Sequence, residues 1–354
     1  MTRHSYLQAG VVLALGALLF APGASFGQAR ERTAVATTPH FAFYSDFATN
    51  LNDALIAAGL ARKRGEPELF HSGADVACFR DLPPSARAAW ERAVDYYAEI
   101  ISPGRFGDRQ QYLVRMHLAG FDEESRDDPG ARQFIDIADA FQAAATPAYE
   151  ACRWSAQDAA NRRWIEELNP RLAAHEQRIA QRLEELYQKP WNGLLIPIDV
   201  VETVDWSGAN TMIRSPAGGY IVISILYQGP AALEGVFHEA SHLLMDRGDP
   251  LPKALADAAR AANRPLPRDL WHVVLFYTTG EAVRRILAQA GEPEYTPMVV
   301  EIFDRSKEWG RYRQAIESTW PAYLDGKRTL PEAAADLLQA IPEEEKPAPS
   351  PPSG

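Results

Sequence analysis

The segment His238-Glu239-Ala240-Ser241-His242 constrains this chain more than any other stretch. Two histidines four residues apart project from one face of an α-helix, where they can share a metal ion. The flanks favour that helix. Leu233, Val236, Phe237, Ala240, Leu243 and Leu244 supply apolar packing, Gly229-Pro230 supplies a cap and a proline at the first helical position, and Gly248 and Pro250 end the helix after Asp246-Arg247. Imidazoles in so apolar a segment are costly to bury without partners. A metal satisfies both, and Glu239 stands one position along, near enough to act as general base on a metal-bound water. The expected ion is Zn2+.

Catalytic zinc takes a third protein ligand and keeps a position for water. The extended pattern His-Glu-x-x-His-x-x-Gly-x-x-His fails, because Met245 and Gly248 occupy its glycine and final histidine positions. A second helix must then supply the ligand, and the apolar stretch from Asp269 to Leu287 is the candidate. Glu281 is preferred: a carboxylate amid Val, Leu, Phe and Ile should be paired or metal-bound, and it shares a face with Tyr277 and Arg285. An ion pair with Arg284 or Arg285 is the bland alternative. His272 is the rival ligand. It lies nine residues before Glu281, half a circle away on a continuous helix, so both cannot serve one metal unless Gly280 breaks that helix. Tyr277 or His272 is expected to steady an oxyanion. Glu234 and Asp246, one turn to either side of the motif, are candidates to orient the ligand imidazoles.

The start of the chain bears on compartment. Arg3 and His4 precede a short apolar run, Val11 to Pro22, and small residues follow up to Ala29. That pattern reads as a secretory signal peptide over residues 1–29, cleaved after Ala29 or Gly27, with an uncleaved anchor as the alternative. A periplasmic or secreted protein is expected, with no stable membrane insertion after cleavage. The two cysteines, Cys78 and Cys152, lack metal-ligand spacing and could close one disulfide in an oxidising compartment. A net charge of −11 and the absence of a basic stripe argue against a nucleic-acid partner.

Along the mature chain, Pro39 to Ser45 reads as a strand, followed by a helix from Asn50 that ends near Gly59. Further helices are expected over Pro84–Ile101, Phe134–Phe141, Ala148–Leu168 and Arg171 to Gln188, with Thr146-Pro147 opening one and Asn169-Pro170 breaking the chain between the last two. Leu194 to Val204 and Tyr220 to Leu226 are dense in Ile and Val and read as strands, separated by the turn-rich Asp205 to Asn210. The second of them, with an open edge, is a place where an extended peptide could pair. His175-Glu176 reads as solvated, and His40, His71 and His117 have no partner at ligand spacing. The fold class expected is α+β and predominantly helical, one catalytic domain over 30–341 with a disordered Pro-rich tail at 342–354.

His238, Glu239, His242 and a downstream helical Glu281 together resemble the gluzincin branch of the zincin-like metallopeptidases, over the span from about Leu194 to Ala290. The resemblance implies a zincin-like core with a small sheet beside the metal-binding helix, two His ligands and one Glu ligand, Glu239 as base, and a peptide or protein substrate hydrolysed by water. It departs at Arg285, where several such families carry an Asp, and in the long spacing from His242 to Glu281. A non-catalytic, zinc-stabilised binding module is the alternative reading.

Overall fold

A computed structural model of the chain describes residues 32–71, 73, 75–100, 109–121, 127–204, 208–214 and 218–342. The expected leader and the expected tail beyond Pro342 lie outside these residues. Strands Ala36–Thr37 (β1) and Phe41–Tyr44 (β2) come first. Helices Phe47–Arg64 (α1), Val76–Asp81 (α2), Pro84–Ile100 (α3), Arg109–Leu118 (α4) and Pro129–Tyr149 (α5) follow. A wide turn over Glu150–Trp154 leads into the long helix Ser155–Tyr187 (α6). Ile196–Val201 (β3), Ala209–Ile213 (β4) and Gly219–Ser224 (β5) precede Gly229–Ser241 (α7), which carries the motif. After a tight turn at His242–Leu244 come Pro250–Ala261 (α8), Leu270–Gln289 (α9), Met298–Arg305 (α10), Lys307–Gly310 (α11), Arg313–Leu324 (α12) and Leu330–Ala340 (α13). The architecture is α+β and predominantly helical, as the patterning implied.

The sheet has the order β1-β2-β3-β5-β4. Its centre, β2-β3-β5, is parallel, and both outer strands run antiparallel to it. Parallel strands are stable only when covered on both faces. Here Ile196, Ile198, Val200, Ile221 and Ile223 join the main core, under α6, α7 and α9. Val201, Tyr220 and Val222 face the other way, against Met116 and Ala119 near the end of α4. Every residue of β5 is buried. The strand expected to offer an open edge is therefore an interior strand. The true edge on that side is β4, which grows out of the segment that reads as turn-rich.

Three expected helix breaks do not occur. Gly59 lies inside α1, buried, where a Cβ would come within 2.9 Å of the Ala98 amide nitrogen. It is there so that α1 can approach α3 closely. The helix is capped by Asp46, whose carboxylate accepts from the Thr49 N–H at 3.0 Å, and it ends at Gly65, left-handed at φ 66°. Pro147 sits inside α5 and Pro170 inside α6. Each removes one backbone donor. The buried stripe Trp164, Ile165, Leu168, Leu172, Ile179 and Leu183 holds α6 in register across Pro170, because packing of an apolar face outweighs local propensity.

The helical amino-terminal part has its own core, with Leu51, Leu55, Trp90, Val94, Tyr97 and Tyr149 buried. Cys78 and Cys152 are joined in a disulfide across 74 positions, tying α2 to the wide turn after α5. Glu176 is not solvated as its surroundings on a charged helix suggested. It is buried and accepts from the His40 N–H at 2.8 Å and from the Thr38 hydroxyl at 3.0 Å, fastening α6 to the start of β2. No helix among the described residues is long and apolar enough to cross a membrane.

A disulfide closing a loop of this length constrains the unfolded chain by about 4 kcal/mol. The double substitution C78S/C152S is expected to lower the urea midpoint by a corresponding amount, while reducing agent lowers that of the wild type only. Equal midpoints for both proteins without reductant would show that the bond contributes nothing.

Candidate metal centre

Every residue of α7 from Ala232 to Ser241 is buried, so each polar side chain on it needs a partner. His238 and His242 sit one turn apart, with ring centroids 5.1 Å from each other. The helix ends earlier than expected, and His242 opens the tight turn that follows it. The 3.6-residue repeat nonetheless carries through, and both imidazoles point the same way.

The third member of the group comes from α9. One nitrogen from each of His238, His242 and His272 lies within 4.8 Å of the others, a grouping that could hold a metal ion. His238 Nε2 and His272 Nε2 are 3.4 Å apart. That is long for a hydrogen bond, whose donor and acceptor sit about 2.9–3.0 Å apart. It matches the roughly 3.3 Å between two nitrogens bound about 2.05 Å from a tetrahedral zinc. Burial, with the two neighbouring imidazoles, holds His238 well below the usual imidazole range. Burial likewise depresses His272 and brings His242 to about 4. All three rings are thus neutral at ordinary pH, the form in which imidazole ligates a metal. His238 Nδ1 is buried with no hydrogen-bond partner among the described residues. The three imidazoles are a donor set that could hold a metal ion.

Because α9 runs unbroken through Gly280, it cannot present His272 and Glu281 to the same point. His272 faces the motif. Glu281, the expected ligand, is turned away and held by arginines: Arg284 donates to both its oxygens, at 2.7 and 2.8 Å, and Arg285 to one at 3.3 Å. Burial pushes the Glu281 carboxyl up, but the two guanidinium groups outweigh it and hold the group below the usual carboxylate range. Tyr277 lies in the electrostatic surroundings of Glu281, Glu317, Arg284 and Arg285, and burial raises its hydroxyl to about 12. It shares the Glu281 side of α9, not the side of the imidazoles. Gly280 is explained by contact: a Cβ would meet Pro297 at 2.8 Å and Glu234 Oε1 at 3.1 Å.

Glu239 points to the imidazole group. Its Oε1 lies 4.0 Å from His238 Nε2, while its Oε2 accepts from the Thr211 hydroxyl at 2.5 Å. The same hydroxyl is 2.9 Å from the Glu239 carbonyl oxygen. Thr211 stands on the edge strand β4, paired with Ile221 of β5. Nothing in the pattern around Thr211 marks it as functional, since only the hairpin of β4 onto β5 brings it beneath α7.

Glu234 does not orient a ligand imidazole. It is fully buried and accepts from Tyr295 Oη at 2.5 Å and from the Met298 N–H at 3.2 and 3.3 Å, which pins the start of α10 to α7. Asp246 follows the tight turn at His242–Leu244, and its backbone N–H donates to Asp249 Oδ2 at 2.7 Å. Aromatic rings complete the surroundings. Phe276 stacks on His238 at 3.5 Å, Trp271 stacks on His272 at 4.9 Å, and Trp309, on α11, meets His272 edge-on at 5.0 Å. Trp271 and Phe276 lie one before and four after His272, a spacing that marks them as its helix neighbours once His272 is singled out.

No family model, curated protein or solved structure matches this chain, so the chemistry of the centre is read from its own geometry.

Burial pushes the Glu234 carboxyl up to about 8. The folded chain therefore keeps a proton that the unfolded chain releases near pH 4.3. Stability from this group is present below pH 4.3 and is lost as pH rises toward 8, by at most about 1.4 kcal/mol per pH unit. Glu234→Gln preserves an acceptor for Tyr295 and Met298. It is expected to flatten the fall in urea midpoint between pH 5 and 8, and parallel curves for the two proteins would refute a protonated Glu234.

Proposed function

We propose that this chain is an exported zinc-dependent hydrolase and, within that class, a metallopeptidase. One observation carries the reading: three imidazoles converge on one point with the carboxylate of Glu239 beside it. The leader-like start of the sequence and the Cys78–Cys152 disulfide support export. The placing of α7 on a small sheet with β4 at its edge supports a zincin-like core. The ligand set we assign is His238, His242 and His272, which departs from the two His and one Glu of the gluzincin pattern.

His238, His242 and His272 would hold the zinc, which with three uncharged ligands would supply Lewis acidity toward a water and a carbonyl. The chain's own residues do the rest. Glu239 takes a proton from the attacking water and returns it to the leaving nitrogen of the amide. Thr211 holds Oε2 of that carboxylate, so that Oε1 stays aimed at the imidazole group. An extended peptide pairs along β4, bringing its carbonyl past Thr211 and Glu239. His272, as a ligand, is not available to an oxyanion, and Tyr277 faces the wrong side of α9.

Purified protein is expected to hold one zinc per chain. His238→Ala and His272→Ala lose it, while Glu281→Ala keeps it; zinc loss in Glu281→Ala alone would return the third ligand to that carboxylate. Glu239→Gln should retain zinc and lower hydrolysis of a peptide library by about 10²–10⁴-fold. If it hydrolyses as well as wild type, Glu239 is not the base. If no peptide is cut by any form and chelation unfolds the chain, the zinc is structural and the protein is a binding module.

Thr211→Val should lower kcat about tenfold, by the loss of one hydrogen bond to a charged group, with zinc content unchanged. Thr211→Ser, which keeps the hydroxyl, should recover most of it. Failure of that recovery would assign the loss to strand packing.

A further inference from the structure

The three imidazoles are not equally covered. His238 is 3% exposed, whereas His242 and His272 are only half-buried. A reactant therefore approaches the centre from the His242 and His272 side. Trp271 stands there. Its indole stacks on His272 with the planes 15° apart and meets His242 edge-on, with centroids 5.8 Å apart. It is also 38% exposed, one of few large apolar side chains at the surface among the described residues. Behind His272, Trp309 meets that ring and also Phe276, so an aromatic wall continues inward from the exposed indole. An indole face open to water beside the imidazole group offers stacking surface to whatever lies against it.

We propose that Trp271, backed by Trp309, is the wall of a subsite for an aromatic or large aliphatic side chain next to the scissile bond. The inference rests on the hydrolase reading and adds the substrate class. A substrate whose carbonyl reaches the imidazole group from the open side lays its neighbouring side chain against the indole. Polar or very small side chains there leave the apolar face wet and gain nothing. No chemical step beyond the hydrolysis already described is added.

Two fluorogenic peptides that differ only in Phe or Ala beside the cleaved bond test this on the zinc-loaded full chain. Wild type is expected to cut the Phe peptide with at least tenfold higher kcat/KM. Trp271→Ala should lose at least tenfold more on the Phe peptide than on the Ala peptide, with zinc content unchanged, and Trp271→Phe should restore the preference. Equal rates of wild type on both peptides overturn the subsite while leaving the hydrolase standing. So does a Trp271→Ala variant that loses both activities equally together with its zinc, which would make Trp271 a cover for the metal. If wild type cuts neither peptide, calorimetric titration with benzyl hydroxamate and acetohydroxamate decides. Tenfold tighter binding of the benzyl compound, lost in Trp271→Ala, upholds the apolar wall although the peptidase reading has failed; equal affinities, or no binding, overturn the wall as well.

Discussion

The burial of α7 sets the terms for everything around it. A helix with ten consecutive buried residues that include two carboxylates, an imidazole and a hydroxyl must find a partner for each within the protein. The partners come from three surrounding elements. Glu234 takes Tyr295 and the Met298 amide at the start of α10, His238 meets His272 on α9, and Glu239 takes Thr211 on β4. Ser241 donates to the Phe237 carbonyl and receives from Thr279 on α9. Removing any one partner leaves an uncompensated polar group in the core, so the strand, α9 and α10 are fixed relative to one another by desolvation as much as by apolar packing.

From that constraint follows the division of labour on α9. The helix is continuous through Gly280, and its two faces carry different polar groups. One face gives His272 to the centre, with Trp271 and Phe276 around it. The opposite face gives Glu281 to Arg284 and Arg285, and Arg285 in turn reaches Asp325 at 2.8 Å. Glycine at 280 is what lets α9 close on Glu234 and Pro297. A carboxylate and an imidazole that compete for one ligand position in the sequence are thus both used, for different purposes.

The opposite face of the sheet is held by a second buried polar cluster. Asp199 on β3 is fully buried and is bonded by Arg32, by the Thr49 hydroxyl at 2.8 Å and by the Tyr220 hydroxyl at 2.5 Å. Burial raises its carboxyl to about 6, against the pull of Arg32. This cluster joins α1, β3 and β5, and Asn50 adds a bond to the Val200 carbonyl at 3.0 Å. The amino-terminal helices are thereby anchored to the same strands that support α7 from the other side.

The sequence alone determined what depends on spacing along one element. The four-residue interval of His238 and His242 and the neighbouring position of Glu239 needed only the helical repeat. The apolar runs around Ile196 and Ile221 marked strands. The half-circle between His272 and Glu281 showed that a helix unbroken at Gly280 cannot turn both to one point. Tertiary structure decided everything that depends on which surfaces meet. It turned His272 toward α7, because the continuous helix is rotated by packing that no local pattern records. It gave Glu281 to two arginines of its own helix, kept α5 and α6 unbroken through Pro147 and Pro170, and started β4 within the turn-rich stretch, at Ala209 and Asn210, by pairing it with β5. Thr211 became the partner of Glu239 by that pairing alone. Periodicity fixes which residues of one helix share a face, while the facing partner is chosen by the burial of the whole core.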